Sequence, residues 1–313
     1  MQNKYAVAVL ALAATPVFAQ LSSQAGFSGE IAFNTGVSRE TSNLNTDNDP
    51  SLVGTDQAAN SSDKTIVFPL GNVAYTFGQK LDKQVYVGTA REDVAVGQVA
   101  IEIAYKQELQ SGTVVQASFL PTLIPEETWS NPYQLDSERT TTDEKGHAYR
   151  FQLKNIAGSQ FSIDSAYAIK NLDNETTASE LQRDSNAIYL KPSYRLFLSR
   201  TAFLVPSVTY IKNDAKGEAA SYDQWGTELT YIQMFNKHSL ALTLGYENRT
   251  HKTSSQLFDG VNRSDNTANV FLAYKYQQFL NLKDWSFISL AGYSKVTPTS
   301  RFMISHHISC RLV

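Results

Sequence analysis

The 313-residue chain carries 27 basic against 30 acidic side chains, a balance that leaves no electrostatic footprint for nucleic acid. Its one cysteine, Cys310, excludes an internal disulfide framework and any multi-cysteine metal centre. No run is apolar for the roughly 18 residues that a membrane helix needs.

Residues 1–19 read as a secretory signal peptide. Lys4 is its basic end, Ala6 to Ala14 its apolar core, and Val17-Phe18-Ala19 fits a small-x-small cleavage rule with the cut after Ala19. Losing Lys4 leaves 26 basic against 30 acidic residues, a formal charge of −4. From about residue 26 onward, segments of about ten residues carry an apolar side chain at every second position. Long polar stretches and tight turns join them alternately. Hydrocarbon offers backbone groups no hydrogen-bond partner, so only helices and closed barrels cross a bilayer. The expectation for residues 20–313 is therefore one domain: an all-β, antiparallel up-and-down transmembrane barrel of about 14 strands, with 12 to 16 compatible.

In chain order, the first segment carries Phe27, Ile31, Phe33 and Val37 on one face, and Glu40 to Asp63 reads as loop. The second shows Ile66, Phe68 and Leu70, then Val73, Tyr75 and Phe77. Its parity flips at Gly71-Asn72, which predicts a β-bulge. Val85 and Val87 mark the third, followed by a short loop at 91–96. In the fourth, Val99, Ile101, Ile103 and Tyr105 alternate with Glu102 and Lys106, and a one-residue slip would push Glu102 into lipid. Val115, Ala117 and Phe119 make the fifth, and Pro121 to Gly146 reads as a second long loop. The sixth places Tyr149, Phe151 and Leu153 opposite Arg150, Gln152 and Lys154. The seventh carries Phe161, Ile163, Tyr167 and Ile169 opposite Asp164.

After Asn171 to Asp184, the eighth places Ile188, Leu190, Tyr194 and Leu196 outward, with Lys191 and Arg195 inward. The ninth is ambiguous in phase, because Leu204, Val208 and Tyr210 compete with Phe203 and Val205. Loop Asn213 to Tyr222 precedes the tenth, with Trp225, Leu229 and Tyr231. Asn236-Lys237 turns into the eleventh, with Leu240, Leu242, Leu244 and Tyr246. Loop Arg249 to Asn266 leads to the twelfth, with Val270, Leu272, Tyr274 and Tyr276. Trp285 to Lys295 is the thirteenth and Arg301 to Val313 the fourteenth. A secreted β-sandwich is the soluble alternative, and it would not need so consistently apolar an outward face.

Two stretches, Phe68-Pro-Leu-Gly-Asn-Val-Ala-Tyr75 and Phe119-Leu-Pro-Thr-Leu-Ile-Pro-Glu-Glu-Thr-Trp129, resemble a family of predicted Gram-negative outer-membrane proteins of unknown function (domain of unknown function 2860). The resemblance runs to about Tyr293. It implies an outer-membrane barrel and brings no catalytic residues with it. Outer-membrane barrels usually end on an aromatic residue that the barrel-assembly machinery reads, whereas this chain ends Ser305-His-His-Ile-Ser-Cys-Arg-Leu-Val313. The shift in composition there suggests either an altered end or a genuine variant, and an altered end would put barrel closure in doubt.

Alternation places Glu30, Glu102, Lys106, Arg150, Lys154, Asp164, Lys191, Arg195, Glu228, Glu247 and Lys275 on the inner face. Charged rings of this kind bias which ions pass a pore. The basic ones cluster on the fourth, sixth and eighth segments, which suggests local preference for anionic solutes. The alternative is a lumen of mutually satisfied ion pairs. Trp129 and Tyr133, on a loop stiffened by Pro125 and Pro132, are candidates for a constriction. Asp47-Asn48-Asp49 and Asp259 to Asp265 offer oxygen ligands for calcium but lack the spacing of a calcium loop with its closing Glu, so solvated loop is the better reading. No cofactor or metal is implied.

The reading is a porin-like channel for passive diffusion of small polar solutes. Its partners would be outer-membrane lipid and the assembly machinery, with no nucleic acid and an unspecified oligomeric state. One alternative is a non-conducting barrel whose long loops bind a partner or surface. Another is a rim-site hydrolase using His147 or His251 beside Asp143, Glu144 or Asp259, although no Gly-x-Ser-x-Gly motif is present.

Overall fold

The computed structural model describes residues 21–22, 24–54, 57, 59–89, 100–135, 137–258, 260–299 and 305–312. The signal peptide and the loop predicted at 91–96 lie outside the described residues. Sixteen strands follow one another: β1 (Gly26–Thr41), β2 (Ser61–Phe77), β3 (Lys83–Thr89), β4 (Ile101–Glu108), β5 (Val114–Pro121), β6 (Glu126–Trp129), β7 (Thr141–Lys154), β8 (Phe161–Leu172), β9 (Ser185–Tyr194), β10 (Leu196–Phe197), β11 (Ala202–Ala215), β12 (Tyr222–Phe235), β13 (His238–Ser254), β14 (Asn262–Gln277), β15 (Ser286–Pro298) and β16 (Ser305–Leu312).

All of them belong to one antiparallel sheet, and the sheet closes on itself. Round the ring each strand pairs with its neighbour in sequence, β5 with β7 past β6 and β9 with β11 past β10, and β16 pairs with β1. β10 prolongs β9 past Arg195, and β6 lies off the ring, paired with the start of β7. The ring therefore has fourteen strand positions, the even number and neighbour-to-neighbour order of an outer-membrane barrel.

The wall is inside-out relative to a water-soluble protein. Phe33 is 81% exposed while Glu102 is 1% exposed. Phe27, Ile31, Val37, Val73, Tyr75, Ile103, Tyr149, Ile188, Trp225, Leu244 and Val270 all stand out from the ring. The inner face buries Thr76, Gln84, Gln116, Ser118, Gln152, Gln224 and Thr243. Period-two alternation puts one class of side chain on each face, and among the described residues the ring pairs its strand edges except along the turn-side half of the β1–β16 seam and on the loop side of the Asn72↔Gly88 pair. Along β12, Trp225 and Phe235 stand ten residues apart, the length of tilted strand that crosses a bilayer core. Aromatic residues mark both ends of that span. Tyr149, Tyr167, Tyr210, Trp225 and Tyr246 ring the loop side, with Tyr210 and Trp225 4.6 Å apart between ring centroids. His238 stacks on Tyr274 and Tyr276 at the turn side. Such girdles sit at the two lipid–water interfaces. Among the described residues no helix is long and apolar enough to cross a membrane.

Three expectations change. Gly71-Asn72 is not a bulge: β1 and β2 pair without a register shift from Gly26↔Thr76 to Thr41↔Ser61. Among the described residues β2–β3 pairs run from Asn72↔Gly88 to Phe77↔Lys83. A side chain on Gly88 would come 2.2 Å from the Gly71 carbonyl oxygen, so this close approach needs glycine. Second, the strands outrun the predicted segments. β7 begins at Thr141 inside the expected loop, and β13 reaches Ser254. Past the bilayer both faces of a strand meet polar surroundings, and the apolar alternation that marks it in sequence fades. Third, the atypical tail forms β16 and pairs on both sides, from Thr41↔His306 to Thr35↔Leu312 and from Val296↔Ser305 to Ser289↔Leu312. β16 thus covers only the loop-side half of the seam with β1. The phase of β11 is settled: Val208 faces out, while Phe203 and Ser207 are buried inward.

Candidate functional site

Inner-face polar groups join into a belt that crosses strand after strand. On β7, Arg150 grips Asp164 of β8 through Nε at 3.0 Å and Nη2 at 2.5 Å. Its Nη1 lies 3.8 Å from Glu102 of β4. Gln116 of β5 donates to Glu102 at 3.1 Å, and Gln152 donates to Asp164 at 2.9 Å. Further round, Lys191 of β9 reaches Glu228 of β12 at 2.9 Å. Gln224 donates to Glu247 of β13 at 2.8 Å and accepts from Arg249 at 2.9 Å. Beside the belt, Asn72 donates to Glu30 at 3.0 Å, and the Lys106 ammonium lies 4.1 Å from the Tyr86 ring centre. Paired and hydrogen-bonded in this way, charges tolerate low water content that an isolated charge would not.

Above the belt, the outer loops lock together across the mouth. Arg139, 4% exposed, donates from Nη1 to the Asn43 carbonyl at 2.6 Å, from Nη2 to Asp49 at 2.8 Å and from Nε to Pro50 at 2.9 Å. Its guanidinium lies 4.0 Å from the ring centre of buried Trp129. One arginine thereby ties the β1–β2 loop to the β5–β7 loop, using the fork geometry that a lysine lacks. Arg183 repeats the device on the β8–β9 loop. It pairs with Glu175 at 2.7 Å and donates to Thr128 Oγ1 at 3.2 Å and the Trp129 carbonyl at 2.5 Å. Gly217 of the β11–β12 loop donates its N–H to the Gln182 carbonyl at 3.0 Å, and a side chain there would fall 2.5 Å from the Glu180 backbone.

Two apolar clusters complete the cap. Leu52 packs with Tyr133 and Leu135, while Leu181, Ala219 and Phe258 pack with Tyr133 and Leu257. Tyr133 belongs to both. Below Phe258, the buried His251 Nδ1 sits 2.9 Å from the Ala219 carbonyl, and Nε2 lies 3.7 Å from Asp265. Beside the cap, a cleft of about 660 Å³ opens between the first hairpin and β6, lined by Glu40, Asp47, Lys64, Glu126, Glu127 and Glu144 among others.

Measured against the expected inner-face set, Glu30, Glu102, Lys106, Arg150, Lys154, Asp164, Lys191, Glu228, Glu247 and Lys275 all stand on the inward parity. Arg195 keeps the parity of Lys191 but sits exposed at the break between β9 and β10, 5.4 Å from the ring centre of inward Phe203. The expected basic cluster on β4, β7 and β9 is not left bare. Arg150 and Lys191 each face a carboxylate from a neighbouring strand, and Lys106 rests on Tyr86.

The two rim histidines stand apart. His147 packs against Phe119 and edge-on against Tyr149 on the outward face, whereas His251 is buried inside. Asp259 lies outside the described residues. Asp47 sits 3.6 Å from Lys64, and Asp265 is held by Arg263 at 2.8 Å. Among the described residues no group of three or more His, Cys, Asp or Glu is placed to hold a metal. Sequence reasoning missed Arg139, Arg183 and Phe258. Each is a lone residue in a polar loop, and their partners are up to 96 positions away.

No curated protein matches the chain. Solved structures of similar outline include OmpTdeltaL8, a loop-deletion mutant of an outer membrane protein of Vibrio cholerae. It is 11% identical with a TM-score of 0.39 over 90% of this chain and 98% of that one. OccK7 of Pseudomonas aeruginosa is 9% identical at 0.39, covering 92% and 98%. The outer membrane channel DcaP of Acinetobacter baumannii is 9% identical at 0.38, also covering 92% and 98%. At such scores these likenesses carry no weight, and the fold rests on the chain's own strand pairing. The family model described as "Protein of unknown function (DUF2860)" matches residues 26–302, from the first residue of β1 to the segment before β16, and the chain belongs to that family.

Proposed function

We propose that this protein is an outer-membrane channel for small polar solutes whose outer mouth is closed at rest by its own loops. The observation that carries the reading is the pairing of a polar, charge-bearing inner wall with an apolar outer one on a closed ring of fourteen strands. Eight strands leave an interior that side chains fill, while sixteen to eighteen leave an aqueous channel. Fourteen lies near the open end, and the inner wall is built to contact water or a polar solute. Trp129 and Tyr133 serve as the constriction, held by Arg139 and Phe258. The inner-face charges screen the solute and favour molecules that bear both signs, since the belt carries both acidic and basic groups. The mature chain begins at Gln20, and lipid and the assembly machinery are its other partners.

The experiment is swelling of liposomes loaded with the refolded barrel, in a graded series of sugars and amino acids. Uptake that falls with solute size once the cap is loosened by Tyr133→Ala and Phe258→Ala supports the channel, and no uptake of any solute by that folded variant rejects it. The interlocked loops favour one second reading, a non-conducting barrel whose cap presents a rigid outer surface to a partner. Conductance that stays absent after the cap is loosened would select it.

A further inference from the structure

The turn-side rim is divided into two unlike arcs. From β9 to β15 the turns expose apolar side chains: Phe197 and Leu198 before β11, Phe235 at the end of β12, and Leu280, Leu282 and Trp285 between β14 and β15. Trp285 is 65% exposed and Leu280 72% exposed. Between β2 and β8 the turns present Gln79, Lys80, Gln110 and Ser159, with Leu109 and, at the start of β8, Phe161 as the large exposed apolar side chains there among the described residues.

Four cations stand within the apolar arc, Arg195 and Arg200 on the first turn, Lys237 on the second and Lys283 on the third, against one carboxylate, Asp284. None of them forms an ion pair among the described residues. Leu280 also holds a left-handed backbone, φ 54°, between Gln278 at 54° and Asn281 at 61°. Leucine rarely adopts that conformation, and here it turns an apolar side chain outward. Both costs are recovered if the surroundings are apolar and anionic.

We propose that this arc is a membrane foot, inserted into the headgroup region of an anionic phospholipid leaflet. The inference rests on reading the barrel as membrane-spanning, not on its being a channel. The apolar turns are continuous with the lipid-facing wall through Leu190, Tyr194, Leu196 and Leu198 on one side and through Tyr276 on the other. Trp285 supplies an amphipathic ring of the kind that settles at headgroup depth. Arg200, Lys237 and Lys283 reach phosphates while their stems lie along acyl chains. With one arc anchored below the girdle and the other polar, the barrel axis tilts toward the β9–β15 side.

The test uses the full-length barrel in phosphatidylcholine vesicles with and without phosphatidylglycerol. Subtracting the spectrum of Trp285→Phe from that of the native protein isolates Trp285. The foot predicts strong quenching by lipids brominated near the headgroup, weaker quenching by deep bromines, and little by iodide on either side. Quenching by iodide but not by bromolipid overturns it. So does a Trp285 shielded from both in a barrel that sediments as a dimer, which would assign the arc to a second copy. In parallel, phosphatidylglycerol should speed insertion of the native chain by up to about fivefold for each cation at the surface. The Arg200→Gln, Lys237→Gln, Lys283→Gln triple variant should lose most of that gain. Equal acceleration of both proteins, or none of the native one, contradicts the proposal.

Discussion

Tyr133 and Phe258 meet edge to face, ring centroids 5.7 Å apart and planes at 83°, although their loops leave the barrel on opposite sides. Six ring strands separate those loops one way round and eight the other. A contact between them has to span the mouth. It is the point where the two apolar clusters of the cap share a residue.

Loosening that contact should open the channel without harming the wall. An edge-to-face pair contributes about 0.5–1.5 kcal/mol beyond its area. Tyr133→Ala and Phe258→Ala should each raise the open fraction roughly two- to tenfold in single-channel records. The double variant should add little to either single one, because both remove the same contact. The thermal transition of the barrel should stay in place.

Arg139 tests whether the cap is held by directed bonds. Arg139→Lys keeps the charge but cannot reach the carbonyls of Asn43, Asp49 and Pro50 together. Each carbonyl left unpaired costs about 1–3 kcal/mol. Hydrogen exchange in residues 42–60 should accelerate by more than tenfold, with protection in β12 and β13 unchanged.

Breaking the belt on one side should shift ion preference with a sign set by the group removed. Asp164→Asn strips Arg150 of its bidentate partner and leaves net positive charge on the inner wall, so the reversal potential in a salt gradient should move toward anions. Arg150→Gln should move it toward cations, with Glu102 and Asp164 then unopposed. Either change should cost at most about 3 kcal/mol, since both partners keep some access to water.

Acid should loosen the β8–β9 loop through Asp184. Burial on its own would raise this carboxyl, but the Lys216 ammonium at 2.8 Å and the Leu172 N–H at 2.7 Å outweigh it and hold the group below its usual range. A carboxyl whose pKa is depressed by folding contributes stability above its unfolded value, about 3.9. That contribution is lost as pH falls through the depressed folded value. Proteolysis of residues 173–184 by an acid-active protease should therefore be slow at pH 5 and rise below pH 3. Asp184→Asn should be cleaved at one rate across that window.

Most of the wall was legible because lipid on one side and polar groups on the other impose strict alternation. Ile101, Ile103 and Tyr105 against Glu102 and Lys106 predicted both the strand and its facing. The fourteen positions and the parity of the inner-face charges follow from that rule, with Arg195 lying where β9 breaks. Bulge and loop boundaries were less legible. Gly71-Asn72 flips parity in the sequence while β1 and β2 keep one register through it, which a single strand's pattern does not show. The pairing of Arg150 with Asp164 and of Lys191 with Glu228 depends on cross-strand register, which single-strand alternation does not contain. The cap was the least legible part. Arg139 and Phe258 sit in loops without periodicity, and their partners are fixed only once the ring has closed.

The account turns on a conducting lumen beneath a closed mouth, and single-channel recording in planar bilayers addresses it directly. The native barrel and the Tyr133→Ala, Phe258→Ala variant would be compared, both shown to be folded by heat-modifiable gel mobility. The account predicts rare openings of the native protein and frequent discrete steps of the same or larger size from the variant. Silence from both folded proteins would contradict it.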